Sequence, residues 1–126
     1  MRILIAEDEA LIALDIEAMV TAMGYQVCGV AARGAEAVLL ARETSPDLAL
    51  IDVTLADGSS GLDAAAAITA ELAIPIVLVT ANVAALATAA IPFCPAGFVA
   101  KPYSERSLRR ALDQALEIQP QPVPNG

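Results

Sequence analysis

Five short, largely apolar runs, each followed by a longer segment with helical spacing, constrain the fold of this chain more than any other feature. The runs are Ile3 to Ala6, Gln26 to Ala31, Leu48 to Ile51, Ile76 to Val79 and Gly97 to Ala100. At four to six residues they suit buried strands and are too short for helices. Helical patterns lie between them at Ala10 to Met23, Gly34 to Thr44, Leu62 to Leu72 and the alanine-rich Val83 to Ile91, and a last one follows Ser104. The stops are readable too: Gly24 stands where a C′ glycine belongs, Ser45-Pro46 ends the second helix, and Ser104 caps the last. Strands alternating with helices predict parallel pairing through right-handed crossovers. The expected fold is therefore α/β, a doubly wound five-stranded parallel sheet, its strands apolar on both sides and covered by helices on both faces.

Composition then narrows function by exclusion. A chain of 126 residues makes one domain the expectation, and 57% hydrophobic against 17% charged residues argues against disorder. No apolar stretch approaches the roughly 18 residues of a membrane span. Glu7-Asp8-Glu9 interrupts the first apolar run too early for a signal peptide. The chain is expected to be soluble and intracellular, hence cytoplasmic. A net charge of −8 opposes binding to nucleic-acid phosphates or anionic membranes. The aromatics Tyr25, Phe93, Phe98 and Tyr103 are too few for a base-stacking platform unless they converge. Cys28 and Cys94 form no C-x-x-C and read as reduced thiols packed as small hydrophobes. Without histidine or a cysteine pair, a zinc site and Ser-His or Cys-His catalysis are excluded. Carboxylates, hydroxyls and one amine remain.

In an open parallel sheet, ligands bind beyond the carboxyl ends of the strands. Glu7, Asp8 and Glu9 follow the first strand, Asp52 the third, Thr80 the fourth and Lys101, the only lysine, the fifth. Each has an ordinary explanation alone: acids at a helix N-terminus, a turn residue, a helix cap, a surface charge. Together they place acids, a hydroxyl and an amine on one rim. Carboxylates brought together at Asp8 and Asp52 repel, and a hard cation such as Mg²⁺ resolves the repulsion while leaving positions for phosphoryl oxygens. Lys101 and Thr80 supply a counter-charge and a hydrogen bond. Such a set suits phosphoryl transfer, with a carboxylate as nucleophile.

In these motifs the chain resembles the receiver domains of two-component response regulators, over residues 1 to about 117. The resemblance implies a flavodoxin-like sheet of strand order 2-1-3-4-5. It makes Glu7 and Asp8 in I-A-E-D-E the metal-site acids and Asp52 in L-I-D-V-T-L the phospho-acceptor. The backbone carbonyl of Thr54 becomes the third protein ligand of Mg²⁺ or Mn²⁺, with Glu7 acting through water. Thr80 in L-V-T-A matches the switch hydroxyl, and Phe98 in G-F-V-A-K-P the aromatic that changes rotamer with it. Lys101-Pro102 matches the phosphoryl-binding lysine and a proline preceded by a cis peptide bond. A sensor histidine kinase or histidine phosphotransfer protein is the implied donor, with an unknown target protein and a phosphorylation-dependent homodimer as implied outputs.

Departures from the pattern fall on the partner surface. Ala56 stands where many receivers have proline, the loop L-A-D-G-S-S-G is long, and the fourth helix runs into Ile91-Pro-Phe-Cys-Pro95. Similar loops occur in receiver halves of alphaproteobacterial stress regulators. A haloacid-dehalogenase phosphatase would need a second aspartate where Thr54 stands, and a dinucleotide-binding protein a glycine-rich first turn. The alternative is a pseudo-receiver, an interaction module that works without phosphorylation; such proteins usually lack part of the acceptor set, which here is complete. The expected organisation is a stand-alone receiver, 1–117, with a disordered proline-rich tail, 118–126, and no attached output domain. Arg106, Arg109 and Arg110 share one side of the last helix and form a candidate partner surface, with Arg109 spaced to pair with Asp113.

Overall fold

A computed structural model describes residues 1–55, 60–88 and 91–118. The elements run β1 (Arg2–Ala6), α1 (Ala10–Ala22), β2 (Gln26–Ala31), α2 (Gly34–Thr44), β3 (Leu48–Asp52), α3 (Gly61–Leu72), β4 (Ile76–Thr80), α4 (Val83–Thr88), β5 (Gly97–Ala100) and α5 (Glu105–Ile118). The strands form one parallel sheet in the order β2-β1-β3-β4-β5, as the receiver resemblance implied.

Strict alternation in the three central strands divides the core. Leu4, Ala6, Ala49, Ile51, Ile76 and Leu78 face one side with Ala37 and Ala41 of α2, Ala64, Ala65 and Ile68 of α3, and Leu86 of α4. Ile3, Ile5, Leu48, Leu50, Val77 and Val79 face the other, against Ile16 and Val20 of α1 and Leu108, Ala111, Leu112 and Ala115 of α5. Side chains two residues apart share a face, so a four-residue apolar run feeds two cores at once.

The helix ends follow local chemistry. Gly24 adopts φ +96° just past α1, a conformation open to glycine at little cost. Ser60 caps α3 by accepting from the Asp63 amide at 3.3 Å. At α5 the cap is reciprocal: Ser104 Oγ accepts from the Ser107 amide at 3.1 Å, and Ser107 Oγ from the Ser104 amide at 2.9 Å.

Three expectations need correction. The edge strands are only partly covered: Gln26 and Val30 of β2 and Phe98 and Ala100 of β5 are exposed, because an edge strand has a neighbour on one side alone. Register also shifts between β1 and β2, where Ile3 faces Val27 but Leu4 faces Gly29. Helix α4 ends at Thr88, and Ile91 lies outside it. In the connection that follows, Ile91 and Phe93 pack on the core while Cys94 is exposed, so Cys94 is not a packed thiol; Cys28 is half-buried. Residues 89–90, the loop at 56–59 and the tail from 119 lie outside the described residues. Among the described residues no helix is long and apolar enough to cross a membrane.

Helix α1 is apolar nearly all round, and it leaves Leu11 82% and Leu14 61% exposed. Leu50, by contrast, is sealed between the sheet and the α1/α5 layer. Leu50→Ala should cost about 3 kcal/mol in urea denaturation and Leu14→Ala no more than about 0.5 kcal/mol. Similar losses at both positions would contradict this division between core and surface.

Candidate functional site

Parallel pairing aligns the strand ends and so assembles the site. Ala6 faces Ile51, and Asp52 faces Val79, which sets the turn after β1 beside the end of β3. Thr80 faces Ala100, and its carbonyl accepts from the Lys101 amide at 2.8 Å. The result is a cleft of about 340 Å³ lined by Asp8, Glu9, Asp52, Val53, Thr54, Thr80, Ala81, Asn82 and Lys101.

Asp52 is the buried centre of this cleft. Its Oδ2 accepts from Lys101 Nζ at 2.5 Å and its Oδ1 from the Thr54 amide at 3.0 Å. Lys101 Nζ also lies 3.3 Å from Glu7 Oε1. Glu7 is buried as well; its Oε2 accepts from the Glu9 amide at 3.2 Å, while Oε1 lacks a well-formed hydrogen bond among the described residues. Burial pushes the Glu7 carboxyl up to about 7. The neighbouring Asp8 and Asp52 carboxylates add to that rise, against the Glu9 amide and Lys101. For Lys101, burial alone would lower the pKa, but Asp52 and Glu7 outweigh it and the net shift is upward.

Carboxylate oxygens of Glu7, Asp8 and Asp52 lie within 4.8 Å of one another. Three hard oxygen donors and an unsatisfied buried oxygen fit a divalent cation of the Mg²⁺ type. Thr80 is buried, and its hydroxyl accepts from the Asn82 amide at 3.1 Å. Phe98, 42% exposed, sits one strand out from the cleft on β5, level with Leu78 of β4. Lys101-Pro102 is a cis peptide bond.

Comparison with known proteins decides the family. The model of the response regulator receiver domain matches residues 3–113. The chain belongs to that family. This receiver is 43% identical over 118 residues to the phyllosphere-induced regulator PhyR of Methylorubrum extorquens, covering 93% of this chain and 44% of PhyR. It is 39% identical over 116 residues to the transcriptional regulatory protein PdtaR of Mycobacterium tuberculosis, covering 91% and 56%. The solution structure of the PhyR receiver domain from Erythrobacter litoralis superposes with a TM-score of 0.86 at 36% identity, covering 98% of this chain and 95% of that one. The anti-anti-sigma factor PhyR from Bartonella quintana gives 0.83 at 40% identity, over 92% of this chain and 47% of that one. The receiver thus spans about half the length of the curated relatives it matches.

The structure brings Glu7, Asp8, Asp52, Thr54, Thr80 and Lys101 to one rim and leaves Arg106, Arg109 and Arg110 exposed on α5, away from the cleft. Arg109 pairs with Glu105 at 3.4 Å rather than with Asp113: both partners are spaced four residues away, and the side chain turns toward the preceding turn of the helix. Tyr103, not singled out by the sequence reading, ties the segment after Lys101 to α1 by donating to the Ile12 carbonyl at 3.3 Å. Burial, with Asp15 and Glu7 nearby, pushes its phenol up to about 12. Its place directly after Lys101-Pro102 was the available signal.

The Glu7 shift carries a pH dependence. The folded chain holds this proton more tightly than the unfolded chain, whose ordinary value is 4.5. The group therefore costs nothing below about 4.5, lowers stability progressively as pH rises toward 7, and adds no further change above that. In metal-free buffer, Glu7→Gln should raise the urea midpoint relative to the native chain by an amount that grows across this window. Mg²⁺ at about pH 8 should shrink the difference, since a bound cation offsets the same charge. A difference that stays constant with pH would show that the Glu7 charge is not its cause.

Proposed function

We propose that this receiver is a phospho-acceptor: Asp52 takes a phosphoryl group from a phosphohistidine on a sensor kinase or phosphotransfer protein. The observation that carries the reading is the buried Asp52 carboxylate bound to the sole lysine in a cleft that also holds Asp8, with Glu7 at its floor. An Asp52 oxygen attacks phosphorus as the phosphorus–nitrogen bond of the donor breaks and its electron pair stays on nitrogen, giving an acyl phosphate and a neutral imidazole whose proton is the one already carried by the donor's other ring nitrogen. Glu7, Asp8, Asp52 and the Thr54 carbonyl would hold Mg²⁺ or Mn²⁺, which when bound supplies charge neutralisation for the phosphoryl oxygens. Lys101 is placed to hold a phosphoryl oxygen as its bond to Asp52 is exchanged. The Thr54 amide keeps the carboxylate oriented. On this reading the chain catalyses only its own phosphorylation and dephosphorylation. A pseudo-receiver role has less support, because no member of the acceptor set is missing from the rim.

The phosphoryl group adds about two negative charges beside Thr80 and Lys101. The Thr80 hydroxyl would leave the Asn82 amide for it, and Phe98 would turn inward from its exposed position. Asp52→Asn should leave no labelling by acetyl phosphate above background, as read by intact mass. Beryllofluoride should shift the Phe98 ring resonances in the native chain and not in the variant. Full labelling of Asp52→Asn would show that the acceptor lies elsewhere, and an unmoved Phe98 would remove the switch.

Output through another protein fits the acidic charge of the chain and the relatives' names: one is an anti-anti-sigma factor, another a transcriptional regulatory protein. Two faces are open for it. Leu11 and Leu14 stand on α1, which begins just past Asp8, and suit a docking phosphodonor. The exposed arginines of α5 suit an acidic target or the acidic part of a second copy. Replacing Arg106, Arg109 and Arg110 together with Ala should weaken phosphorylation-dependent association, read by analytical ultracentrifugation with and without beryllofluoride, and leave Asp52 labelling intact. Unchanged association would make the stripe an ordinary solvated face.

A further inference from the structure

Gly61, the first residue of α3, is buried directly behind the proposed phospho-acceptor. A Cβ built on it would lie 1.8 Å from the Asp52 carbonyl oxygen, 2.8 Å from the Asp52 carbonyl carbon and 2.9 Å from Val53 Cα. All three are backbone atoms at the end of β3, and none can swing aside as a flexible side chain does. The Gly61 amide donates to the Val53 carbonyl at 2.9 Å, and Thr54 and Ser60 form an antiparallel bridge next to it. The start of α3 is therefore seated on the peptide that carries the acceptor, and it pins both ends of the loop that follows.

We propose that Gly61 is a positioning residue for phosphoryl transfer. Without a side chain it lets α3 lie directly on the Asp52–Val53 peptide, which fixes where the Asp52 carboxylate and the Thr54 backbone stand relative to Lys101. The proposal rests on the phospho-acceptor reading above and adds the backbone support that this reading needs. Any side chain at position 61 forces the peptide or the helix to move, and Asp52 moves with the peptide. Lys101 Nζ sits 2.5 Å from Asp52 Oδ2, a contact that tolerates little displacement. A misplacement of about 1 Å at a reacting centre can cost on the order of 100-fold in rate. In the sequence Gly61 shows only as the end of the loop L-A-D-G-S-S-G, because the steric contact is with the backbone of Asp52 and Val53, distant in the chain, and leaves no mark in the local pattern.

The test compares the native chain with Gly61→Ala at a temperature where circular dichroism and thermal melts show both folded. Mg²⁺ affinity is read from amide shifts, and acetyl-phosphate labelling is read at saturating Mg²⁺. A helix-packing role alone would lower the melting temperature and leave both readouts of the folded protein unchanged. The positioning role predicts Mg²⁺ binding weaker by about tenfold or more and labelling slower by about 100-fold at saturation. A folded Gly61→Ala with native affinity and rate overturns it. Should that variant fail to fold, the native chain decides: the Gly61 amide should shift on Mg²⁺ addition with the same midpoint as Asp52 and Thr54, and an unmoved Gly61 amide overturns the proposal. A native chain that neither binds Mg²⁺ nor labels overturns the phospho-acceptor reading, and this role with it.

Discussion

One ammonium group holds the end of this sheet together. Lys101 lies 2.5 Å from Asp52 and 3.3 Å from Glu7, and Asp8 completes a carboxylate cluster that a single positive charge cannot balance. Removing one member of a buried charge pair commonly costs about 3–5 kcal/mol, because the survivor is left desolvated. The rim is therefore neither a stable ion pair nor a stable empty pocket of acids. Burial, with the neighbouring carboxylates adding to it, raises the Glu7 pKa, so a proton does part of what a cation would do. On the proposed reading, proton, divalent cation and phosphoryl group would act through the same few oxygens.

The sheet exists to make that juxtaposition possible. Parallel pairing puts every strand's carboxyl end on one side, and the 2-1-3-4-5 order places β1, β3 and β4 side by side in the middle. Asp52 and Thr80 thereby end two adjacent central strands, and Lys101 follows the edge strand next to Thr80. The helices contribute by burying both faces of the sheet, so Ile5, Ile51 and Val79, near the carboxyl ends of the central strands, are sealed from water.

The sequence made the rim legible because topology alone positions it: each site residue comes directly after an apolar run, and the runs are unambiguous. The central strands and α2 were readable to within a residue or so for the same reason. What stayed hidden depends on contacts that are distant in the chain. The exposure of Leu11 and Leu14 could not be read from α1, whose apolar residues go nearly all round and mark no face. Cys94 reads as a core thiol by residue type alone, because the bends that turn Ile91 and Phe93 toward the core and leave Cys94 exposed follow no periodic pattern. At the β1–β2 register shift a Cβ on Gly29 would come within 3.3 Å of the Leu4 and Leu40 side chains, neither of which is its neighbour in sequence.

The same reasoning separates what relatives can share from what they can change. A site built on strand ends needs only the sheet order and a handful of residues, and the matched region makes up 44% of PhyR and 56% of PdtaR. The faces proposed to meet partners carry no such constraint. Leu11 and Leu14 on α1 and the arginines of α5 can change with little effect on the core, since their side chains project from helices whose inner faces are already packed. Between those faces and the rim stand two connectors: Tyr103, bonded to α1 at Ile12, and Phe98, exposed beside α4. On the proposed reading, a change in charge at Asp52 would reach the first through Lys101, two residues before it, and the second through Thr80, whose strand lies alongside β5. The chemistry can therefore stay constant while the message varies with the residues that surround these two aromatics.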